Sequence, residues 1–237
     1  MTYNKLALFD IDGTLIAHAG ALTPALNRYQ MAIKATYGID TIYNLKKYNG
    51  SIERAIAWDL LKDSGISRDA FLEKFPMYVE HLRESLMELS QKQPLYVPIP
   101  DAVTLAEKLS QKKDTAVGVI TGNAKRIAEW KLVYTGLTPY FSFGLYGDEA
   151  DDRNELAKLV FEKSKKELHQ TFAPKDIIVI GDTIHDIRAG KAIGATTIAV
   201  TTGLHVAKNV LAHEQPDFLV DTLLDNAILT LFGLVEA

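Results

Sequence analysis

Apolar and polar positions divide this chain into three stretches of different rhythm. Residues 6–9, Leu-Ala-Leu-Phe, form a short continuous apolar run that ends in Asp10-Ile11-Asp12-Gly13. A run of this length closed by a glycine turn reads as a buried β-strand. From about residue 23 to 90 the rhythm becomes helical and no convincing strand follows. Leu26, Tyr29, Ile33 and Tyr37 recur at helical spacing over 24–37, with Thr23 as a plausible N-cap and Gly38 as a stop. Further helices are expected over 52–61, 69–75 and 78–89, the last with Val79, Leu82, Leu86 and Leu89 on one face. Residues 93–100 hold Pro94, Pro98 and Pro100 and read as a return linker in which helix is forbidden.

Beyond the linker strands and helices alternate. Strands are expected at 116–120, 141–144, 177–180, 196–200 and 218–220, and helices over 103–109, 124–134, 155–168, 187–193 and 223–232. Such alternation argues for a parallel sheet with helices on both faces. The expected organisation is a split core, 1–16 plus 98–237, with an all-helical insertion over 17–97.

Composition narrows the chemistry. At 237 residues and 47% apolar, the chain can bury a sizeable core. A net charge of -4 gives no electrostatic footprint for nucleic acid. The absence of cysteine excludes disulfides, thiolate metal sites and a cysteine nucleophile. No apolar run approaches transmembrane length, and the chain enters its first strand at once, so a cytoplasmic protein free of membrane is expected.

The candidate chemistry sits at strand ends. In open parallel sheets, ligands lie beyond the carboxyl ends of the strands. Asp10 ends the first strand, and Asp12 follows on the turn. Two carboxylates so close call for a cation or a shared proton; the alternative is a plain polar turn. Thr121-Gly122-Asn123 follows the strand at 116–120. It reads as an anion site at a helix start or as an ordinary N-cap. Gly181-Asp182-Thr183-Ile184-His185-Asp186 follows the strand at 177–180 and offers two more carboxylates, against the alternative of an acidic helix N-terminus. His185 is read as a rim residue, because oxygen ligands suit a hard cation better.

Taken in order, Asp10-Ile11-Asp12-Gly13-Thr14-Leu15, Thr121 and Gly181-Asp182-x-x-x-Asp186 resemble the first, second and fourth motifs of the haloacid dehalogenase superfamily, in its phosphatase branch. The resemblance covers the core nearly end to end, and the insertion only by its position and helical character. It implies a Rossmann-like, doubly wound α/β core with a helical cap domain. It also implies magnesium-dependent hydrolysis of a small phosphorylated metabolite through an aspartyl-phosphate. Asp10 would be the nucleophile and Asp12 the general acid and base. Asp10, the Asp12 backbone carbonyl, Asp182 and Asp186 would hold the metal ion, and Thr121, Gly122 and Asn123 would hold the phosphoryl group. The third motif is a single basic residue, assigned to Arg153 with Lys131 as the alternative; either could instead be a solvated charge. Residues 49–54 resemble the cap loop that approaches the site, which makes Ser51 and Arg54 candidates for substrate specificity; Arg54 could meet a second anionic group or equally form a surface ion pair. Asp12 argues against dehalogenase and phosphonatase chemistry, whose members lack this aspartate. A phosphosugar mutase of the β-phosphoglucomutase kind and a non-catalytic binding protein on the same scaffold remain as alternatives. A monomer or homodimer is expected.

Overall fold

The computed structural model describes residues 2–19, 22–48, 50–203 and 205–235, and the side chains of all of these but 22–27, 45 and 46. The sequence expectations for Thr23, Leu26 and Asn49 therefore lie outside the described residues and side chains.

Six strands form one sheet: β1 (Lys5–Phe9), β4 (Thr115–Ile120), β5 (Phe143–Leu145), β6 (Ile177–Gly181), β7 (Thr196–Val200) and β8 (Phe218–Val220). Their order is β5-β4-β1-β6-β7-β8, and every pairing is parallel. The chain winds outward from β1 to β4 and β5, then returns to β1's other side and continues through β6 to β8. The carboxyl ends of β1, β4 and β6 therefore meet where the winding reverses, which is where such sheets bind ligands.

Both faces of the sheet are covered, so its strands read as apolar runs. Alternate residues still serve opposite sides. Ala7 and Phe9 of β1 pack in one cluster with Val117, Val119, Ile178 and Ile180. Leu6 and Leu8 join Ala116, Ile120, Ile177 and Val179 in the other. The helices α5 (Pro100–Ser110), α6 (Lys125–Tyr134) and α11 (Asn226–Leu231) cover the first face. The second is covered by α7 (Arg153–Lys158), α8 (Val160–Glu167) and α9 (Ile184–Ala192). A short helix, α10 (Lys208–His213), lies outside this pattern and packs Leu211 on Ile187 and Ala199.

Between β1 and β4 lies the helical block: α1 (Leu22–Tyr37), α2 (Leu45–Tyr48), α3 (Glu53–Leu61) and α4 (Arg68–Lys92). It is entered through β2 (Ile16–His18) and left through β3 (Tyr96–Pro98), which pair antiparallel. The proline-rich return was expected to be a linker; it is half of a two-stranded ribbon. Pro98 is tolerated there because such a narrow ribbon is all edge. Pro100 is the first residue of α5, where its missing N–H costs nothing.

Three further corrections concern the helices. The expected helices over 69–75 and 78–89 are one helix of 25 residues that passes straight through Pro76. Its buried stripe, Phe71, Phe75, Tyr78, Val79, Leu82 and Leu86, runs unbroken across the proline, and this packing outweighs the lost backbone bond. The single helix expected over 155–168 is two, α7 and α8, meeting at Leu159. The short helices α2 and α10 were not foreseen, being too brief to show a period.

Pro76 is exposed, so its removal should cost no packing. Pro76→Ala restores an N–H for the Leu72 carbonyl. It should stabilise the protein by about 1–3 kcal/mol, read from urea unfolding at neutral pH.

Candidate active site

Each carboxylate is delivered by a different local device. Asp10 follows β1 directly, its N–H bonded to the Ile180 carbonyl at 2.8 Å, and its side chain is buried. Asp182 follows β6. Gly13 (φ +89°) and Gly203 both press against it: a Cβ on Gly13 would lie 2.4 Å from Asp182 Oδ2, and one on Gly203 1.8 Å away. The Asp182 carboxylate is thus wedged between two stretches of bare backbone, and Thr14 Oγ1 donates to its Oδ1 at 3.1 Å. Asp186 is fixed by a capping box, the reciprocal bonding of a helix's first residues. Thr183 is the N-cap of α9, and Asp186 Oδ2 accepts from Thr183 N at 2.9 Å and from its Oγ1 at 2.6 Å.

Asp10, Asp182 and Asp186, all buried, each offer an oxygen within 4.8 Å of the other two. Arg153 is the first residue of α7, whose N-cap Asp152 accepts from Asn154 N and Glu155 N. Arg153 is buried and bridges the cluster. Its Nη2 donates to Asp10 Oδ1 at 2.7 Å, to Asp186 Oδ1 and to the Ile120 carbonyl. The two basic candidates of the sequence thus divide. Lys131, buried on α6, lies against Asp12 instead: its Nζ donates to both Asp12 oxygens, at 2.7 and 2.6 Å, and to Asn123 Oδ1 at 2.7 Å. Asn123 Nδ2 in turn donates to Asp12 Oδ2 and Thr121 Oγ1, both at 2.7 Å.

These surroundings set the charges. Burial pushes the Asp10 carboxyl up to about 7 against the pull of Arg153, with Asp186 adding to the rise. Asp182 is raised well above the carboxylate range by burial and by the two neighbouring aspartates. Asp12 goes the other way. Burial alone would raise it, but the Lys131 ammonium and the bonds from Lys131 and Asn123 hold it down at about 2. A cluster whose carboxylates resist ionisation, for want of positive charge, is a natural seat for a divalent cation. The buried, all-oxygen donor set fits a hard ion such as magnesium.

One cavity, of about 130 Å³, joins these groups to the helical block. Asp10, Asp12, Asp182, Thr121, Gly122, Asn123, Arg153 and Ser51 all line it. Arg54 does not: its Nε pairs with Asp151 at 3.0 Å and its Nη1 donates to the Asp148 carbonyl. Lys131 and Asp186 stand behind the lining. Sequence reasoning missed Arg28, Tyr29, Tyr43 and Glu53 on the side of the helical block, and His18 and His205 beside them. Arg28 precedes Ala32 by four residues and so lies on the buried stripe of α1; a cation at that position was the available signal. His185 is half-buried, its ring near Gly50 at the edge of the site.

Among the described residues, no helix is long and apolar enough to cross a membrane. A profile of the haloacid dehalogenase-like hydrolases matches residues 7–200. A phosphoglycolate phosphatase of Aquifex aeolicus is 28% identical over 232 residues, covering 94% of this chain and 98% of its own. Among solved structures, a haloacid dehalogenase-like family hydrolase from Streptococcus pneumoniae matches with a TM-score of 0.63 at 20% identity, covering 96% of this chain and 98% of its own. A hydrolase from Pseudomonas syringae matches with a TM-score of 0.67 at 19% identity, covering 98% and 99%.

The raised carboxyls of Asp10 and Asp182 make stability depend on pH and on cations. Between the unfolded carboxyl pKa, near 4, and about 7, the folded protein holds protons that the unfolded chain has released. Without divalent ions, stability should therefore fall as pH rises through that window, by up to about 1.4 kcal/mol per pH unit for each carboxyl. Urea unfolding at pH 5 and pH 8 should show this loss. Magnesium should reverse it at pH 8 and have little effect at pH 5.

Proposed function

The chain belongs to the haloacid dehalogenase-like hydrolases, and we propose that it is a phosphatase of small phosphate monoesters with Asp10 as its nucleophile. The observation that carries this reading is the gathering of Asp10, Asp182 and Asp186 with Arg153 at one end of the sheet, around a cavity that also reaches Thr121 and Asp12. The relatives' name points the same way, and phosphoglycolate is the first ester to test.

An Asp10 oxygen attacks phosphorus, and the bond from phosphorus to the ester oxygen breaks. The leaving oxygen takes a proton through Asp12, whose carboxylate is ionised in the free protein and receives that proton from the incoming phosphate monoanion. The resulting aspartyl-phosphate is cleaved by a water that gives its proton back to Asp12, which releases inorganic phosphate and restores Asp10. Arg153, Thr121 and the backbone of Gly122 and Asn123 hold the phosphoryl oxygens, over which charge spreads in the transition state. Asp10 and Asp182 with the Asp12 carbonyl would hold magnesium, which would supply the positive charge that offsets repulsion between the attacking carboxylate and the phosphate. Asp186, with Oδ2 in the capping box and Oδ1 on Arg153, serves chiefly to keep Arg153 in place. Lys131 does the same for Asp12, keeping its carboxylate turned to one position. All four aspartates of the motifs are present, which favours an enzyme over a binding protein on this scaffold.

The division of the chain belongs to the same reading. Residues 17–97 act as a cap over a core of 1–16 and 98–237, with the β2–β3 ribbon as the joint. A cavity closed by the cap admits a small ester and excludes a folded phosphoprotein.

Two measurements test this. Asp10→Asn should lower turnover of an aryl phosphate by about a thousandfold or more with the circular dichroism spectrum unchanged. Exhaustive chelation should abolish turnover of the native protein, and magnesium should restore it. Retained activity in either case would remove Asp10 or the metal from the reaction.

Lys131→Met separates the acid role from the rest. An aryl leaving group departs without a proton and an alkyl one does not. The first step, read as single-turnover release of the alcohol, should slow by about a hundredfold for an alkyl phosphate and by less than about fivefold for a p-nitrophenyl ester. Equal losses would mean that Lys131 does not act through Asp12.

A further inference from the structure

Glu53 is the first residue of α3 and lines the cavity from the side of the helical block. It is buried. One side-chain oxygen, Oε2, accepts from Ala124 N at 2.6 Å, and the Glu53 N–H donates to the Gly122 carbonyl at 2.8 Å. These bonds tie the helical block to the loop that follows β4. The other oxygen, Oε1, is buried with no hydrogen-bond partner. Buried polar atoms are nearly always paired, so one left open on a residue that lines a cavity marks a place where a ligand can complete the pairing.

The rest of the wall restricts what that ligand group can be. Arg28 lines the same cavity, stacked on the Tyr29 ring at 4.4 Å and donating to the Tyr29 hydroxyl at 2.9 Å. The Tyr29 and Tyr43 rings stack with centroids 4.2 Å apart, and both rings line the cavity. The wall therefore carries a cation, a carboxyl and an aromatic surface together. A second carboxylate on the substrate would suit Arg28 and oppose an ionised Glu53. An ammonium would suit Glu53 and oppose Arg28. A hydroxyl is neutral, donates to a carboxylate oxygen and accepts from a protonated one, so it pairs with Glu53 in either form.

We infer that this wall is a hydroxyl-recognising subsite, with Glu53 Oε1 its acceptor, and that the substrate is a phosphorylated polyol or sugar rather than a phosphorylated acid such as phosphoglycolate. This rests on the phosphatase reading above and adds the class of substrate to it. A site that leaves a buried polar atom unpaired when the substrate lacks its partner discriminates strongly against that substrate.

The test compares kcat/KM for glycerol 3-phosphate, n-propyl phosphate and phosphoglycolate, with magnesium, in the native protein and in Glu53→Gln. The native protein should prefer glycerol 3-phosphate to each of the others by about tenfold or more. In Glu53→Gln the amide oxygen keeps the bond from Ala124 N, and the NH₂ group takes the place of Oε1. The open acceptor thereby becomes a donor, which a carboxylate fits. The ratio of glycerol 3-phosphate to phosphoglycolate turnover should fall by about tenfold or more and the preference should turn toward the acid. A purely structural Glu53 would lower all three by one factor, and that result overturns the inference, as does a native protein that handles n-propyl phosphate as well as glycerol 3-phosphate. A folded native protein inert toward all three and toward p-nitrophenyl phosphate would sink the phosphatase reading itself.

Discussion

Negative charge concentrated at the ends of parallel strands is the constraint on which the rest of this structure depends. Asp10, Asp182 and Asp186 share one buried pocket of oxygen atoms, and Asp12 stands at its mouth. Carboxylates so placed repel one another at low dielectric, and burial penalises each ionised form in addition. Arg153 and Lys131 meet part of the demand from different helices, one on the Asp10 side and one on the Asp12 side. Two cations facing four carboxylates leave a deficit that matches a divalent ion. The site is therefore costly to the fold, and its stability is tied to what it binds.

Precise placement of these charges falls to the backbone more than to side-chain packing. Gly13 and Gly203 let the chain close on Asp182 at distances that no Cβ permits. The capping box at Thr183 holds Asp186 where it can reach Arg153. Asp152 starts α7 so that Arg153 is its first residue and points inward. Each device satisfies orphan helix-end groups and orients a functional side chain at once.

The helical block completes the cavity. Its apolar stripe on α4 joins the same cluster as Ala7, Phe9 and Leu105, so block and sheet share one core. The contact that bears on the site is polar and local. Gly122 accepts no Cβ because the Ser51 carbonyl would lie 2.4 Å from it, and Glu53 bonds to both Gly122 and Ala124. The part of the cavity wall that holds Glu53 thus rests directly on the loop that carries Thr121 and Gly122.

The local pattern was enough to determine the sheet and the placing of carboxylates at the carboxyl ends of its strands. Period and run length give strands where side chains are apolar on both faces, and Asp10, Asp12 and Asp182 follow such runs in the sequence itself. Contacts between distant segments could not be read this way. The two basic candidates, Arg153 and Lys131, are both single residues near helix starts or stripes. Only the packing of α6 and α7 against the sheet sends one to Asp12 and the other to Asp10. Pro76 looked like a helix boundary because propensity is local, yet the helix continues because its buried face is set by partners on α1 and α3. Arg54 read equally as a specificity residue or as half of a surface ion pair, and folding pairs it with Asp151 while its neighbour Glu53 lines the cavity. Charge and periodicity along a chain fix which groups are available; which of them meet is decided when elements far apart in sequence pack, because pairing energies depend on distance and burial that exist only in the folded state.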